Sequence, residues 1–411
     1  MADAFPLGRI PEPVRAIART LAGAGHEAWF VGGAVRDVLY EQRGAGPPPR
    51  VGDFDIATSA LPEAVRRLFR RTVPIGVEHG TLAVLDEHGG SHEVTTFRRD
   101  VETDGRHARV AFGVSLEDDL ARRDFTINAI AVHPESGEIR DPFGGRADLA
   151  AGLVRAVGDP ATRFREDRLR VLRALRFAAV FGFRIDPATW AALVAAVPDL
   201  GQLSRERVRD EWIKTLEAAS PSAGVALWRD CGALARVWPE MAELGPDMPG
   251  RLDAIDPPGD SVLLTAAALC HAGATEDVAE AAVRRLRFSN DEAARVRAVV
   301  AGLRIPLPAP GLTREVRHWL SHHRLHAREI VAVSEPRARR PDLVAAIRAI
   351  EASGDPLTVR ELAVTGDDLV GAGVPPGKGM GDILRRLLDE VLDEPWRNTR
   401  EHLLARAREL G

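Results

Sequence analysis

Residues 51–58 read VGDFDIAT and place two aspartates, Asp53 and Asp55, one residue apart. In a β-strand alternate side chains share a face, so both carboxylates would point one way, and Phe54 and Ile56 the other. Like charges at this spacing disfavour each other's ionisation. Water can screen such a pair at a strand end. Alternatively, a divalent cation can neutralise it, as Mg²⁺ does where phosphates are transferred.

The segment upstream, FVGGAVRD at residues 30–37, predicts a strand that ends in two glycines and a helix that begins at once. Glycine lets the backbone approach a ligand closely, and the free amides of a helix start attract anions. A tight strand-to-helix turn would need the same two glycines. The arginine in the first turns, Arg36, and the aspartate pair downstream favour a triphosphate site.

Two further segments carry candidate polar groups. Glu93 lies on a predicted strand, HEVTTFR, where a third carboxylate would complete a two-metal site, although a solvated strand glutamate fits equally well. In LARRDFTINAI, residues 120–130, Arg123 could bind phosphate and Asp124 could accept a hydrogen bond from a ribose hydroxyl. A helix-capping aspartate beside surface arginines is an equally good interpretation.

The segment RFREDRLRVLRALRF, residues 163–177, belongs to a helix predicted over residues 166–181. A charged stripe follows this helix in steps of three residues: Asp167, Arg170, Arg173 and Arg176. Mixed charge on a helix usually marks a solvated face. Here arginines outnumber acids, which indicates an anionic partner.

The composition limits the function classes. The chain has 411 residues, of which 45% are hydrophobic and 28% charged, and a net charge of -5, so any nucleic-acid partner must be held by local patches. Cys231 and Cys270 lie far apart without metal-ligand spacing and are predicted to be buried apolar residues. No stretch approaches the ~18 apolar residues of a membrane span, and a cytoplasmic location is expected.

The predicted elements change along the chain. Strands and helices alternate up to about residue 150, with strands predicted at 27–31, 80–85, 92–97, 109–112 and 129–133 as well as at the aspartate pair. Helical patterns dominate the remainder, including one at 205–218. The predicted fold class is therefore α+β, with an N-terminal mixed sheet followed by helical segments.

The motifs GGxxRD, DxD, EVTTFR, RRDFTxNA and EDxLRxxRxxRF occur in this order. In this respect residues 25–185 resemble the class II tRNA nucleotidyltransferases, the CCA-adding enzyme family, whose polymerase-β-like head is shared with bacterial poly(A) polymerases. The resemblance implies a catalytic head at 1–150 and a helical neck with a base-reading helix at 151–245. It also implies a helical body with a degenerate HD remnant at 246–330, and a tail that contacts tRNA at 331–411.

The resemblance also implies roles for the residues above. Asp53 and Asp55 would hold Mg²⁺ and activate the tRNA 3′-hydroxyl, with Glu93 as a third catalytic acid. The implied nucleotide site consists of Gly32, Gly33, Arg36, Arg123, Asp124, Asp167, Arg170, Arg173 and Arg176. The implied partners are CTP, ATP and the 3′ end of tRNA.

Base reading by Asp167 and Arg170 has a physical basis. CTP and ATP both present an amino donor beside a ring-nitrogen acceptor, which suits a carboxylate beside a guanidinium. UTP and GTP place a carbonyl oxygen opposite Asp167, and two facing acceptors are costly when buried. No nucleic-acid template is needed.

Several alternatives stay open. The segment at residues 98–112 keeps a DGR sequence (Asp104, Gly105, Arg106), which argues against a CC-only enzyme but not against an A-adding one. A poly(A) polymerase is expected to carry a longer basic tail. A non-catalytic RNA-binding relative need not keep the acidic and base-reading residues. An HD-type hydrolase is disfavoured because Ala272 stands after His271.

Overall fold

The computed structural model describes the chain from residue 5 to residue 411 except for residues 44–52, 104–107, 246–248, 256–258, 337–339 and 378. The chain forms two compact units, Met1–Ala242 and Glu243–Gly411. Each is described by itself. The four-part division at residues 150, 245 and 330 stays a prediction.

The first unit is built on a seven-stranded mixed sheet in the order β3-β4-β5-β2-β1-β8-β9. Two separate strand pairs, β6 with β7 and β10 with β11, accompany it. The strands are β1 (Ala28–Val31), β2 (Asp55–Thr58), β3 (Thr72–Gly76), β4 (Thr81–Leu85), β5 (Ser91–Thr96), β6 (Arg98–Thr103), β7 (Ala108–Phe112), β8 (Ala131–Val132), β9 (Ile139–Arg140), β10 (Leu153–Val154) and β11 (Arg184–Ile185).

Helices cover this sheet and make up the rest of the first unit. They are α1 (Glu12–Gly23), α2 (Gly33–Gln42), α3 (Pro62–Leu68), α4 (Leu116–Ala121), α5 (Gly145–Ala151), α6 (Pro160–Glu166), α7 (Leu169–Phe181), α8 (Pro187–Ala196), α9 (Arg205–Leu216), α10 (Pro221–Asp230) and α11 (Ala233–Val237). Apolar residues at helical spacing give α1 one apolar face, and the residues of that face, Val14, Ile17 and Leu21, are all buried. Every residue of β1 is buried, as expected of a central strand.

Two cores support the site. One lies under the sheet and comprises Trp29, Val31, Ala57, Phe97, Leu116, Leu120, Ala129, Ala131 and Val157. The other centres on three fully buried tryptophans, Trp212, Trp228 and Trp238. The Trp212 ring lies 5.2 Å from that of Trp228 and 5.5 Å from that of Trp238. Because Trp212 belongs to α9, this second core anchors α9.

The second unit is helical throughout its described residues. Its helices are α12 (Pro249–Leu252), α13 (Ser261–His271), α14 (Glu276–Arg285), α15 (Asn290–Leu303), α16 (Thr313–His323), α17 (Ala327–Ser334), α18 (Pro341–Ser353), α19 (Gly366–Gly371), α20 (Met380–Asp393) and α21 (Arg400–Leu410). One core gathers around Trp319 and Leu320, and another around Leu369 and Leu387. In the described parts of both units, no helix is long and apolar enough to cross a membrane.

The predicted fold class is confirmed, with differences in detail. The helix predicted over 166–181 is α7, which begins only at Leu169, because Asp167 has an extended backbone (φ -145°, ψ 107°) that separates α7 from α6. The strand predicted at 109–112 is found as β7, and its antiparallel partner β6 was not predicted. Asp104, Gly105 and Arg106 lie outside the described residues. The strand β3 was not predicted, and neither was the short parallel pair β10–β11.

Candidate active site

A cavity of about 460 Å³ in the first unit collects most of the predicted site residues. It is lined by Gly32, Gly33, Arg36, Asp55, Arg122, Arg123, Asp124, Asn128, Asp167, Leu169, Arg170, Arg173, Arg176, Phe177 and Arg207. All of the residues predicted to bind nucleotide are among them. Of the three predicted catalytic acids, only Asp55 lines the cavity.

Sheet register places Asp55 beside the glycine turn. β1 and β2 are antiparallel, and Val31 at the end of β1 pairs with Asp55 at the start of β2. Gly32 follows directly with a left-handed backbone (φ 84°), which glycine adopts without strain. A Cβ on Gly32 would lie only 2.9 Å from Asp55 Oδ2. The glycine therefore lets the carboxylate approach the turn.

The three predicted acids come from neighbouring backbone segments. β2 and β5 are parallel with Ile56 opposite Val94, so Asp55 and Glu93 lie one residue earlier on adjacent strands. Burial raises the pKa of Asp55 to about 6, with Glu93 and Asp53 adding to the rise and Arg123 opposing it. Asp53 is exposed and precedes β2, while Phe54 and Ile56 are buried, a burial pattern that agrees with the predicted alternation of the two aspartates with these apolar residues. Asp53 and Asp55 are close enough to interact electrostatically.

Carboxylate chemistry at this place fits a divalent cation. The negative charges of Glu93 and Asp53 raise the pKa of Asp55, and a cation that takes the place of the proton would stabilise this carboxylate. Among the described residues, however, no group of three or more His, Cys, Asp or Glu side chains lies close enough together to form a complete metal site. The arrangement offers Asp55 with Asp53 or Glu93, and a nucleotide's phosphates would have to complete the coordination.

The Arg36 guanidinium is buried at the wall of the cavity. Its Nε donates to Asp37 Oδ1 at 2.8 Å and its Nη1 donates to Asn128 Oδ1 at 2.8 Å. The rings of Phe177 and Phe181 lie 5.0 and 4.7 Å from its centre. Burial lowers the pKa of Arg36, while Asp37 opposes that change. Arg36 is therefore held rigidly beneath the glycine turn.

Asp119, within α4, holds two arginines of the cavity wall. It is fully buried, and it accepts from Arg122 at 2.8 Å and from Arg123 at 3.2 Å. Burial opposes ionisation, but the two guanidiniums keep the pKa of Asp119 below its usual value. The same carboxylate accepts from the backbone N–H of Arg98 in β6 at 3.3 Å. The wall of the cavity is thus tied to the β6–β7 pair.

Asp124 acts mainly on another cavity residue, Arg173. Its Oδ2 accepts from Arg173 Nε at 2.8 Å, and its Oδ1 accepts from the Asn128 amide at 2.9 Å. Although burial opposes it, Arg173 and Asn128 hold the pKa of Asp124 at about 2. Asp124 in turn raises the pKa of Arg173. The pair stays ionised at neutral pH and keeps Arg173 fixed.

The predicted base-reading pair is present, but with a different geometry. Asp167 lies at the junction between α6 and α7, where its Oδ1 accepts from the backbone N–H of Leu169 at 3.0 Å. Its backbone carbonyl accepts from the Arg170 N–H at 3.0 Å. The expectation that Asp167 and Arg170 share one helix is therefore wrong, because the chain kinks at Asp167. Both side chains still face the same cavity.

Arg170 is braced on two sides. Its Nη1 donates to Glu166 Oε2 at 2.8 Å, and its Nη2 donates to the carbonyl of Arg122 at 2.8 Å. Arg163 donates to Glu166 at 2.6 Å and to the carbonyl of Ala121 at 2.9 Å. These contacts fix the Arg170 guanidinium at the wall of the cavity.

Sequence reasoning assigned no role to five residues of the cavity wall: Arg122, Asn128, Leu169, Phe177 and Arg207. The first four lie inside the quoted motifs, so a closer reading of those motifs could have found them. Arg207 lies in α9, outside every motif, and only the packing of α9 against α7 brings it to the cavity.

Three family models match successive parts of this chain. Residues 28–155 match the family described as "Poly A polymerase head domain", and residues 182–244 match "Probable RNA and SrmB-binding site of polymerase A". Residues 260–407 match a family described as tRNA nucleotidyltransferase domain 2.

Individual relatives match over almost their whole length. The CCA-adding enzyme of Levilactobacillus brevis is 36% identical, with 96% of each chain covered. A crystal structure of the Bacillus stearothermophilus CCA-adding enzyme in complex with CTP has a TM-score of 0.79 at 32% identity, covering 97% of this chain and 96% of that one. The Thermotoga maritima CCA-adding enzyme complexed with tRNA shares the fold, with a TM-score of 0.66 at 21% identity and 98% of each chain covered. The chain therefore belongs to the family of CCA-adding enzymes, which are nucleotidyltransferases.

Proposed function

We propose that this protein adds C, C and A to the 3′ end of tRNA from CTP and ATP, without a nucleic-acid template and with release of pyrophosphate. The observation that carries the proposal is that one cavity contains both Asp55 and the Asp167/Arg170 pair. A nucleotide in this cavity would have its base beside the carboxylate–guanidinium pair and its phosphates near the glycine turn. Addition of one nucleotide needs both contacts at once.

The chain's own residues bind and orient the nucleotide. Arg123 and Arg173 keep fixed positions through Asp119 and Asp124, so their remaining N–H groups can meet phosphate and ribose oxygens without reorganisation. Asp167 accepts from the exocyclic amino group that CTP and ATP share, and the Arg170 guanidinium donates to the adjacent ring nitrogen. The close approach at Gly32 brings the triphosphate toward Asp55.

Nucleotidyltransferases of this family use a divalent metal ion, and we propose Mg²⁺ held by Asp53 and Asp55. Carboxylates are the ligands that this hard cation prefers. The ion would supply charge neutralisation for the phosphates and for the attacking 3′-hydroxyl. Glu93 supports the site as a further negative charge beside Asp55.

The principal alternative is an A-adding enzyme, which would share the same cavity and the same base edge. A poly(A) polymerase would share the head but continue past one adenosine. We favour full CCA addition because the chain matches a CCA-adding relative over 96% of its length. The cytoplasmic location stays a prediction.

The test uses three tRNA substrates: one lacking all three terminal nucleotides, one ending in CC, and one complete. With CTP and ATP together, the protein should restore CCA on the first, add one A to the second and leave the third unchanged, as read by sequencing the products. Addition of A alone to the second substrate, with no C added to the first, would replace the proposal by the A-adding alternative. Asp55→Ala should abolish every addition while tRNA binding persists, and normal turnover by that variant would refute the metal assignment.

A further inference from the structure

Arg207 makes direct contact with the residue that we propose reads the base. Its Nη2 donates to Asp167 Oδ2 at 2.8 Å, and its side chain lines the same cavity. The Arg207 and Asp167 side chains are 35% and 28% exposed, so the ion pair lies at the cavity surface, where a nucleotide can reach it. Nothing in the local sequence around Asp167 provides this contact.

The helix that carries Arg207 is well anchored. Ser204 caps the start of α9 through the backbone N–H of Arg207, and Trp212 of the same helix is fully buried. One turn after Arg207, Glu211 accepts from Arg176 Nε at 2.6 Å. One face of α9 therefore holds two charged groups of the cavity wall, a carboxylate through Arg207 and a guanidinium through Glu211.

Asp167 needs such a support because its backbone is not part of a helix. The backbone N–H of Leu169 holds only Oδ1, and the extended φ and ψ at Asp167 leave its side chain free of helical packing. Without Arg207, the carboxylate could rotate about χ1 and χ2. That rotation would remove the fixed acceptor that opposes the carbonyl oxygen of UTP or GTP.

We propose that Arg207 is a positioning residue that sets nucleotide selectivity by fixing the carboxylate of Asp167 against the base edge. The inference rests on the proposed function and extends it to a residue outside the motifs. Arg207 itself need not touch the nucleotide. Its effect is on discrimination between bases, which an effect on folding alone would not change.

The test compares Arg207→Gln with Arg209→Gln. Arg209 is on the same helix and pairs with its own neighbour Asp210 at 2.9 Å, outside the cavity wall, so its variant is the matched control. Single-nucleotide additions to tRNA with CTP, ATP, UTP and GTP give kcat/KM for each. Arg207→Gln should lower the ratio of kcat/KM for CTP to that for UTP, and likewise for ATP over GTP, by about tenfold. This factor corresponds to the free energy that a hydrogen bond between charged groups contributes. The control should keep both ratios.

Two further variants keep the proposal falsifiable. Arg207→Lys retains the charge and should recover part of the selectivity, and thermal unfolding will show whether either variant is destabilised. In a double-mutant cycle with Asp167→Asn, the double variant should be no less selective than Asp167→Asn alone. The inference would be overturned if Arg207→Gln kept both selectivity ratios. It would also be overturned if the loss of selectivity in the double variant equalled the product of the two single losses. Failure of the unaltered protein to add C or A would instead overturn the proposed function.

Discussion

Cation binding should depend on pH in a way set by Asp55. The pKa of Asp55 in the cation-free protein is about 6 instead of its usual 3.8, first because of burial and then because of Glu93. The pKa of Asp55 is higher in the folded protein than in the unfolded chain, so the folded state binds this proton more tightly. The stability that proton binding contributes at low pH is lost as the pH rises through about 6. A cation that binds the ionised carboxylate offsets that loss, so binding should strengthen over the same range.

The size of the effect follows from the ionised fraction. At pH 5 a carboxyl group with a pKa of about 6 is ionised in about one molecule in ten, whereas an ordinary aspartate is ionised in about nine in ten. The apparent Kd for Mg²⁺ should therefore be about tenfold higher at pH 5 than at pH 7.5, which means weaker binding at pH 5. Each ion bound at pH 5 should release close to one proton.

Isothermal titration calorimetry in buffers of different ionisation enthalpy measures both the affinity and the proton release. Glu93→Gln should move the midpoint of the pH dependence down, because Glu93 raises the pKa of Asp55. Arg123→Gln should move it up, because Arg123 lowers that pKa. An affinity that stays constant between pH 5 and 7.5, without proton release, would refute the reasoning about Asp55.

Two other predictions concern the glycine turn and the buried ion pair. Gly32→Ala should reduce kcat by at least about tenfold, because its Cβ would crowd Asp55 Oδ2 in a left-handed backbone; Gly25→Ala is the matched control and should retain most activity, since Gly25 has the same left-handed backbone outside the cavity and its Cβ would meet nothing within 4 Å. Asp124→Asn should lower the free energy of unfolding by about 2 kcal/mol at pH 7 and raise KM for both nucleotides by misplacing Arg173. Because the pKa of Asp124 is held near 2, urea denaturation should show the stability difference fading as the pH falls from 4 through about 2. A difference that persists at pH 2, or an active Gly32→Ala, would contradict these assignments.

The sequence predicted which residues form the site better than it predicted how those residues are arranged. Every residue expected to bind nucleotide lines the cavity, because residue type and order in the motifs already carry that information. The break at Asp167 was missed because alternating charge and leucines across residues 163–177 satisfy helical periodicity without a visible stop signal. Propensity alone does not reveal a single residue with an extended backbone.

Long-range packing explains the remaining gaps. A helix was predicted at 205–218 and is found at Arg205–Leu216, yet nothing in its sequence indicates that Arg207 faces Asp167. Likewise, the proximity of Glu93 to Asp55 depends on the parallel pairing of β2 with β5. Pairing between strands that are distant in sequence is set by the whole sheet, so the local pattern around each residue does not specify it.

The arginines in the cavity wall have a thermodynamic consequence. Each arginine that the structure places there has a carboxylate partner, including Arg36 with Asp37, Arg170 with Glu166 and Arg176 with Glu211. A free arginine side chain loses up to about 2 kcal/mol of conformational entropy when it is ordered. In this cavity that ordering accompanies folding, before any nucleotide arrives. Nucleotide binding should therefore carry a small entropic penalty, and the cost of assembling the cavity appears in the stability of the folded chain.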